Sequence, residues 1–177
     1  MNSPRTPRNS PRTPGTPRTP RNSPKTPSNL STEVIHIRHA LNPLRKPWAI
    51  SGSMAMKIHA NRRGILLHRN PNDIDIVVRS KDFGLFVSAL GSIGYKINGP
   101  PPLRYKDHLK LHKGSKSIDL ISSGSELAPN LSKMNINVFN GTTPVVKVNK
   151  LINQKKITIK HFPIANAKKN LNFLMRL

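Results

Sequence analysis

Asp73 and Asp75 stand two residues apart in the run NPNDIDIVV, residues 70–78, of a chain with only seven acidic side chains against 30 Lys and Arg. In a β-strand, side chains at i and i+2 share a face, so the two carboxylates would lie side by side, about 7 Å apart along the strand. Ile74, Ile76, Val77 and Val78 surround them with apolar groups. Neighbouring carboxylates repel, and burial raises their pKa values unless a cation joins them. Oxygen ligands of this kind suit Mg²⁺, which keeps several waters and binds through carboxylates together with substrate phosphates. Asp119, in the run KSIDLI on a later predicted strand, offers a third carboxylate. Three such groups would allow a two-metal site for in-line phosphoryl displacement.

Ser51-Gly52-Ser53 is the complementary half. It falls between a predicted strand and a predicted helix, where Gly52 lets the backbone approach a ligand and Ser53 can cap the helix. Free N–H groups and the positive dipole at a helix start favour phosphate. Basic residues that can clamp phosphates near this motif are Lys57, Arg62, Arg63, Arg69 and Arg79, with Arg69 foremost because it directly precedes the carboxylate strand. Lys150, Lys155 and Lys156 on a later helix are comparable candidates for a triphosphate. As a charge group, the cations near the motif are more often a nucleic-acid face or a solvated surface. His36/His39 and His108/His112 are spaced like metal pairs. The first pair lacks a third ligand in sequence, and the second lies in an alternating segment that would hold the rings about 13 Å apart.

The elements that must position these groups alternate in type. The spacing predicts helices from Ser31 or Thr32 to about Leu41, over Ser53–Arg63, over Asp82–Ile93, around Leu151 and Ile152, and over Ala165–Met175. Strands are predicted at Trp48–Ile50, Asp73–Val78, Tyr95–Ile97, through Leu109 and Leu111, at Ser117–Ile121 and at Met134–Phe139. Pro144–Val148 reads as a lead-in to the following helix, and Trp48 as a core residue. The expected class is α+β, a mixed sheet flanked by helices over residues 30–177.

Residues 1–29 form a different region. NSPRTP occurs at 2–7 and again at 9–14, and NSPKTP at 22–27, giving eight Ser-Pro or Thr-Pro steps, six Lys/Arg and no acid. Such a segment cannot bury enough apolar surface to offset its chain entropy, so it reads as a disordered basic arm with polyproline II character. It serves either as a solubilising tail or as an arm that neutralises nucleic-acid phosphates. Each Ser-Pro or Thr-Pro is also a plausible site for proline-directed phosphorylation. Full modification would add about −12 to −16 charge units.

The whole chain carries a net charge of +23, and residues 28–177 alone carry +17. That balance points to polyanionic partners: nucleotide triphosphates and nucleic acid, with a protein partner also open. The absence of cysteine excludes disulfides, Cys-based zinc sites and a Cys nucleophile. The N-terminus has no apolar signal region and no window is apolar enough to span a bilayer, so an intracellular, unsecreted protein without membrane partners is expected.

AISGSMAMKIHA followed by RNPNDIDIVV resembles the nucleotidyltransferase superfamily related to DNA polymerase beta. That family's signature is a hydrophobic residue and Gly-Gly/Ser opening a helix, then Asp-hydrophobic-Asp on the next strand. KSIDLI matches its third carboxylate. VVKVNKLINQKK and NAKKNLNFLMRL resemble the C-terminal helices of its minimal, AbiEii-like members. The resemblance spans most of residues 30–177 and none of the arm. It implies that Gly52 and Ser53 contact the triphosphate of an NTP, that Asp73 and Asp75 hold Mg²⁺, and that Asp119 completes the metal site and helps activate an acceptor hydroxyl. The activity implied is transfer of NMP to that hydroxyl. A non-catalytic, highly basic nucleic-acid-binding or packaging protein on the same fold is the alternative. Two departures stand out. Nineteen residues separate Ser53 from Asp73, longer than usual, and Asn170 replaces an Asp common in relatives.

Overall fold

The computed structural model describes residues 30–67, 70–97, 107–125, 131–161 and 165–177. The arm, residues 1–29, and Arg69 lie outside the described residues.

Seven strands form one mixed sheet in the order β3-β4-β5-β2-β1-β7-β6. They are β1 (Trp48–Ile50), β2 (Ile74–Val78), β3 (Lys96–Ile97), β4 (His108–Lys113), β5 (Lys116–Ser122), β6 (Lys133–Asn137) and β7 (Thr142–Val146). The α-helices are α1 (Leu30–Leu41), α2 (Gly52–Arg62), α3 (Phe83–Ser92), α4 (Val148–His161) and α5 (Ala165–Leu174). The α+β class and the mixed sheet with flanking helices are therefore as the sequence indicates.

Hydrophobic periodicity accounts for most of these elements. In α1, Leu30, Val34, Ile37 and Leu41 recur at helical spacing and are all buried. β2 lies between β1 and β5, and Ile74, Ile76, Val77 and Val78 are fully buried there. That central position explains its near-continuous apolar run. Trp48 packs in the core, 2% exposed.

Three local readings are corrected. Ser31 and Thr32 lie inside α1, which already includes Leu30. The N-cap of α2 is Ser51 rather than Ser53, because the helix begins at Gly52. Thr142–Val146 is a strand, β7, rather than a lead-in to α4. Pro144 disguises it, since proline removes a ladder donor. The position tolerates that loss: the ladder to β1 joins Ile50 to Val145, while β6 pairs along the other side from Lys133↔Val146 to Asn137↔Thr142.

Two buried polar clusters tie α1 to the sheet. Arg38 donates to the Val138, Phe139 and Asn140 carbonyls, at 3.3, 3.2 and 3.2 Å, and so holds the β6–β7 turn. Glu33, fully buried, accepts hydrogen bonds from Tyr95 (2.9 Å), Lys116 and, at 3.5 Å, Lys113. Burial pushes the Glu33 carboxyl up. The hydrogen bonds from Lys116 and Tyr95 and the two lysine charges outweigh it and hold the carboxyl below its ordinary value. Its folded pKa is thus depressed, so its contribution is full above the usual carboxylate range and is lost as pH falls. Glu33→Gln is expected to cost about 1–3 kcal/mol at pH 7. Urea titrations should show that difference closing at acid pH.

Candidate active site

The parallel ladder between β2 and β5 sets Asp75 directly opposite Asp119. Asp73 immediately precedes β2 and shares the face of Asp75 by the two-residue period. Three of the seven acids therefore meet on one face of the sheet's centre. The repulsion is visible in Asp75, whose carboxyl is pushed up to about 6 by burial, then by the negative charges of Asp73 and Asp119. Lys155 and His108 act in the opposite sense.

Gly52 shapes the other wall. The Ser51 N–H donates to the Asp75 carbonyl at 2.8 Å, which continues the β1–β2 pairing to the N-cap of α2. The Asp75 carboxylate then packs on Gly52 so closely that a Cβ there would sit 1.7 Å from Oδ2. Only glycine fits both this contact and the left-handed backbone. The α2 N-terminus consequently opens beside the carboxylates. His59, further along α2, is buried and makes a 2.8 Å hydrogen bond with the Val146 carbonyl, anchoring the helix beside β7. Burial lowers its pKa and favours the neutral ring, which donates through Nε2.

Ser51, Gly52, Ser53, Asp73 and Asp75 line a cleft of about 250 Å³, closed from above by Leu151, Gln154, Lys155 and Thr158 of α4 and by Asn170 of α5. A second cleft of about 440 Å³ shares Ser53, Asp73 and Asn170 with the first. Met56, Leu67, Pro71 and Phe173 make it the more apolar of the two.

Most of the sequence-derived residues converge here. Gly52, Ser53, Asp73, Asp75 and Lys155 line the first cleft, and Asp119 stands in register beside them. Lys150 is on α4 but does not line the cleft, and Arg69 is outside the described residues. In sequence, His108 reads only as a metal-spaced partner of His112 and Lys110 is not singled out, yet both neighbour Asp119. His108 Nε2 lies 2.7 Å from Asp119 Oδ1, and Lys110 Nζ lies 3.5 Å from Oδ2. Their signal was the two-residue turn Gly114-Ser115. It pairs Lys113 with Lys116, and counting outward pairs Lys110 with Asp119.

The carboxylate cluster suits a hard divalent cation. Its donors are all oxygen, and burial, then the charges of Asp73 and Asp119, raise the Asp75 carboxyl. Among the described residues, the side chains as placed form no group of three or more that could hold a metal ion. Asp119 is paired instead with His108 and Lys110.

The seven-stranded mixed sheet with its flanking helices matches the nucleotidyltransferase fold. Particular solved structures bear this out. The antibiotic-resistance factor ANT(2'')-Ia superposes with a TM-score of 0.62 at 13% identity, covering 82% of each chain. The same factor in complex with adenylyl-2''-tobramycin gives 0.59 at 12% identity, over 82% of this chain and 87% of that one. The lincosamide antibiotic adenylyltransferase LnuA, lincomycin-bound, gives 0.57 at 14% identity, over 81% of this chain and 95% of that one. No family model matches the sequence, and no curated relative does.

Proposed function

We propose that the protein is a Mg²⁺-dependent nucleotidyltransferase that moves NMP from an NTP to a hydroxyl on a nucleic acid or a protein. The observation that carries this reading is the register of Asp75 with Asp119, with Asp73 beside them and the Gly52 helix start forming the adjoining wall. The backbone N–H groups at the start of α2, the Ser53 hydroxyl and the Lys155 ammonium receive the triphosphate. Arg69 and Lys150 remain candidates for its outer oxygens. Asp73 and Asp75, with Asp119, would hold the metal, which supplies charge neutralisation at the phosphates. Asp119, on the β4 side, takes the proton of the acceptor hydroxyl. That oxygen bonds to the α-phosphorus, the bond from the α-phosphorus to the bridging oxygen breaks, and pyrophosphate leaves.

The alternative, a non-catalytic nucleic-acid-binding protein on this fold, draws on the pairing of Asp119 with His108 and Lys110. Incubation with labelled ATP, CTP, GTP or UTP, Mg²⁺ and RNA separates the two. The first reading predicts label transfer by the wild type and none by Asp73→Ala/Asp75→Ala. Nucleic-acid binding with no label transfer from any NTP would establish the alternative.

A further inference from the structure

Beyond Asp119 the sheet continues for two strands, and its face there is neither apolar nor covered by any described helix. Cross-strand register places Lys110 opposite Asp119, and Lys96 of β3 opposite His112. Side chains at i and i+2 share a face, so His108, Lys110 and His112 point to the side that carries Asp75 and Asp119. Lys96, His108 and Lys110 are exposed and His112 is half-buried. Leu109 and Leu111 belong to the opposite face, where Lys113 and Lys116 are engaged by Glu33. The result is a basic strip that starts at the reacting carboxylates and runs to the sheet edge. Along β4 its polar side chains recur every ~7 Å.

We propose that this β3–β4–β5 face is the acceptor platform and that it takes a nucleic-acid strand by its phosphodiester backbone. The inference rests on the nucleotidyltransferase reading for the word acceptor, and on the surface alone for the nucleic acid. Position favours it: Lys155 and the start of α2 claim the other side of Asp75, which leaves the Asp119 side for the incoming hydroxyl. Charge favours it as well. Asp119 is the acid that the register places on this strip, and its two oxygens already face His108 and Lys110. A cationic acceptor would be repelled, while a phosphate chain meets cations along the whole path. Among the described residues the strip carries Lys and His without Phe, Tyr or Trp, so it would contact phosphates and leave base identity unread.

The test uses the full chain and a fluorescein-labelled single-stranded RNA, with anisotropy followed across a KCl series. Lys96→Glu/Lys110→Glu should weaken binding by on the order of tenfold or more near 0.1 M salt. It should also make the log–log salt slope shallower by about 1.4. Arg45→Glu/Lys46→Glu, an equal charge change at exposed residues before β1, should lose several-fold less. Equal losses from both pairs would overturn the platform, since only total charge would then matter. Amine acylation of the wild type gives a second reading independent of any variant's folding. RNA should protect Lys96 and Lys110 more than Lys46, and equal protection overturns the proposal. Failure of the underlying reading looks different: RNA binding keeps its dependence on Lys96 and Lys110, but Mg²⁺-dependent nucleotide binding is absent.

Discussion

Asp75→Asn is expected to reduce nucleotide transfer by about a hundredfold to a thousandfold while making the metal-free protein more stable. The loss follows from removing a preorganised charged group at the reacting phosphates. The gain follows from the burial, and then the neighbouring Asp73 and Asp119 charges, that raise the Asp75 carboxyl from its ordinary 3.8 to about 6. A shift of that size corresponds to about 3 kcal/mol of destabilisation at neutral pH, taken as an upper bound. The sign is set by linkage. Below the unfolded pKa both states are protonated and the penalty is absent. It grows as pH rises from about 4 to about 6 and is constant above. Chemical denaturation in EDTA should therefore show Asp75→Asn more stable than wild type at pH 7 and equal to it at pH 4. Mg²⁺ should narrow the pH 7 gap by stabilising the wild type alone. A variant that keeps its activity, or that is less stable at pH 7 without metal, would contradict this picture of the site.

Gly52→Ala is the second change with a large expected effect. A methyl group there meets Asp75 Oδ2 at 1.7 Å and must also adopt φ +56°. Overpacking of this kind costs about 1–3 kcal/mol, and the left-handed backbone adds about 1–2 kcal/mol. The expected loss of stability is about 2–5 kcal/mol. Displacing the Asp75 carboxylate by about 1 Å would lower transfer by about a hundredfold even in the molecules that fold. A double-mutant cycle isolates the contact. In an Asp75→Ala background the carboxylate is gone, so the cost of Gly52→Ala should fall towards the backbone contribution alone. A cost unchanged by that background would show that the close approach of Gly52 to Asp75 is not what demands glycine.

These two residues also mark what a linear reading can reach. That Asp73 and Asp75 share a face follows from the two-residue period, and that a helix opens just after Gly52 follows from its place between two apolar patterns. Neither pattern encodes that residue 52 touches residue 75, or that Asp119 pairs with Asp75. Both depend on strand order, which is decided by long-range packing. The order of β4 and β5 was an exception, because the Gly114-Ser115 turn carries it locally. β7 was hidden by Pro144, whose cost is small where the neighbouring ladder is short. Lys155 and Lys150 looked alike in sequence. Helical phase decides between them, aiming Lys155 into the cleft and leaving Lys150 out of its lining.

A calorimetric titration of the full chain with a non-hydrolysable NTP analogue, with and without Mg²⁺, tests the site most directly. Binding that requires Mg²⁺ in the wild type and disappears in Asp73→Ala/Asp75→Ala is the predicted result. Binding of equal strength in EDTA, or binding that survives loss of both carboxylates, would contradict it.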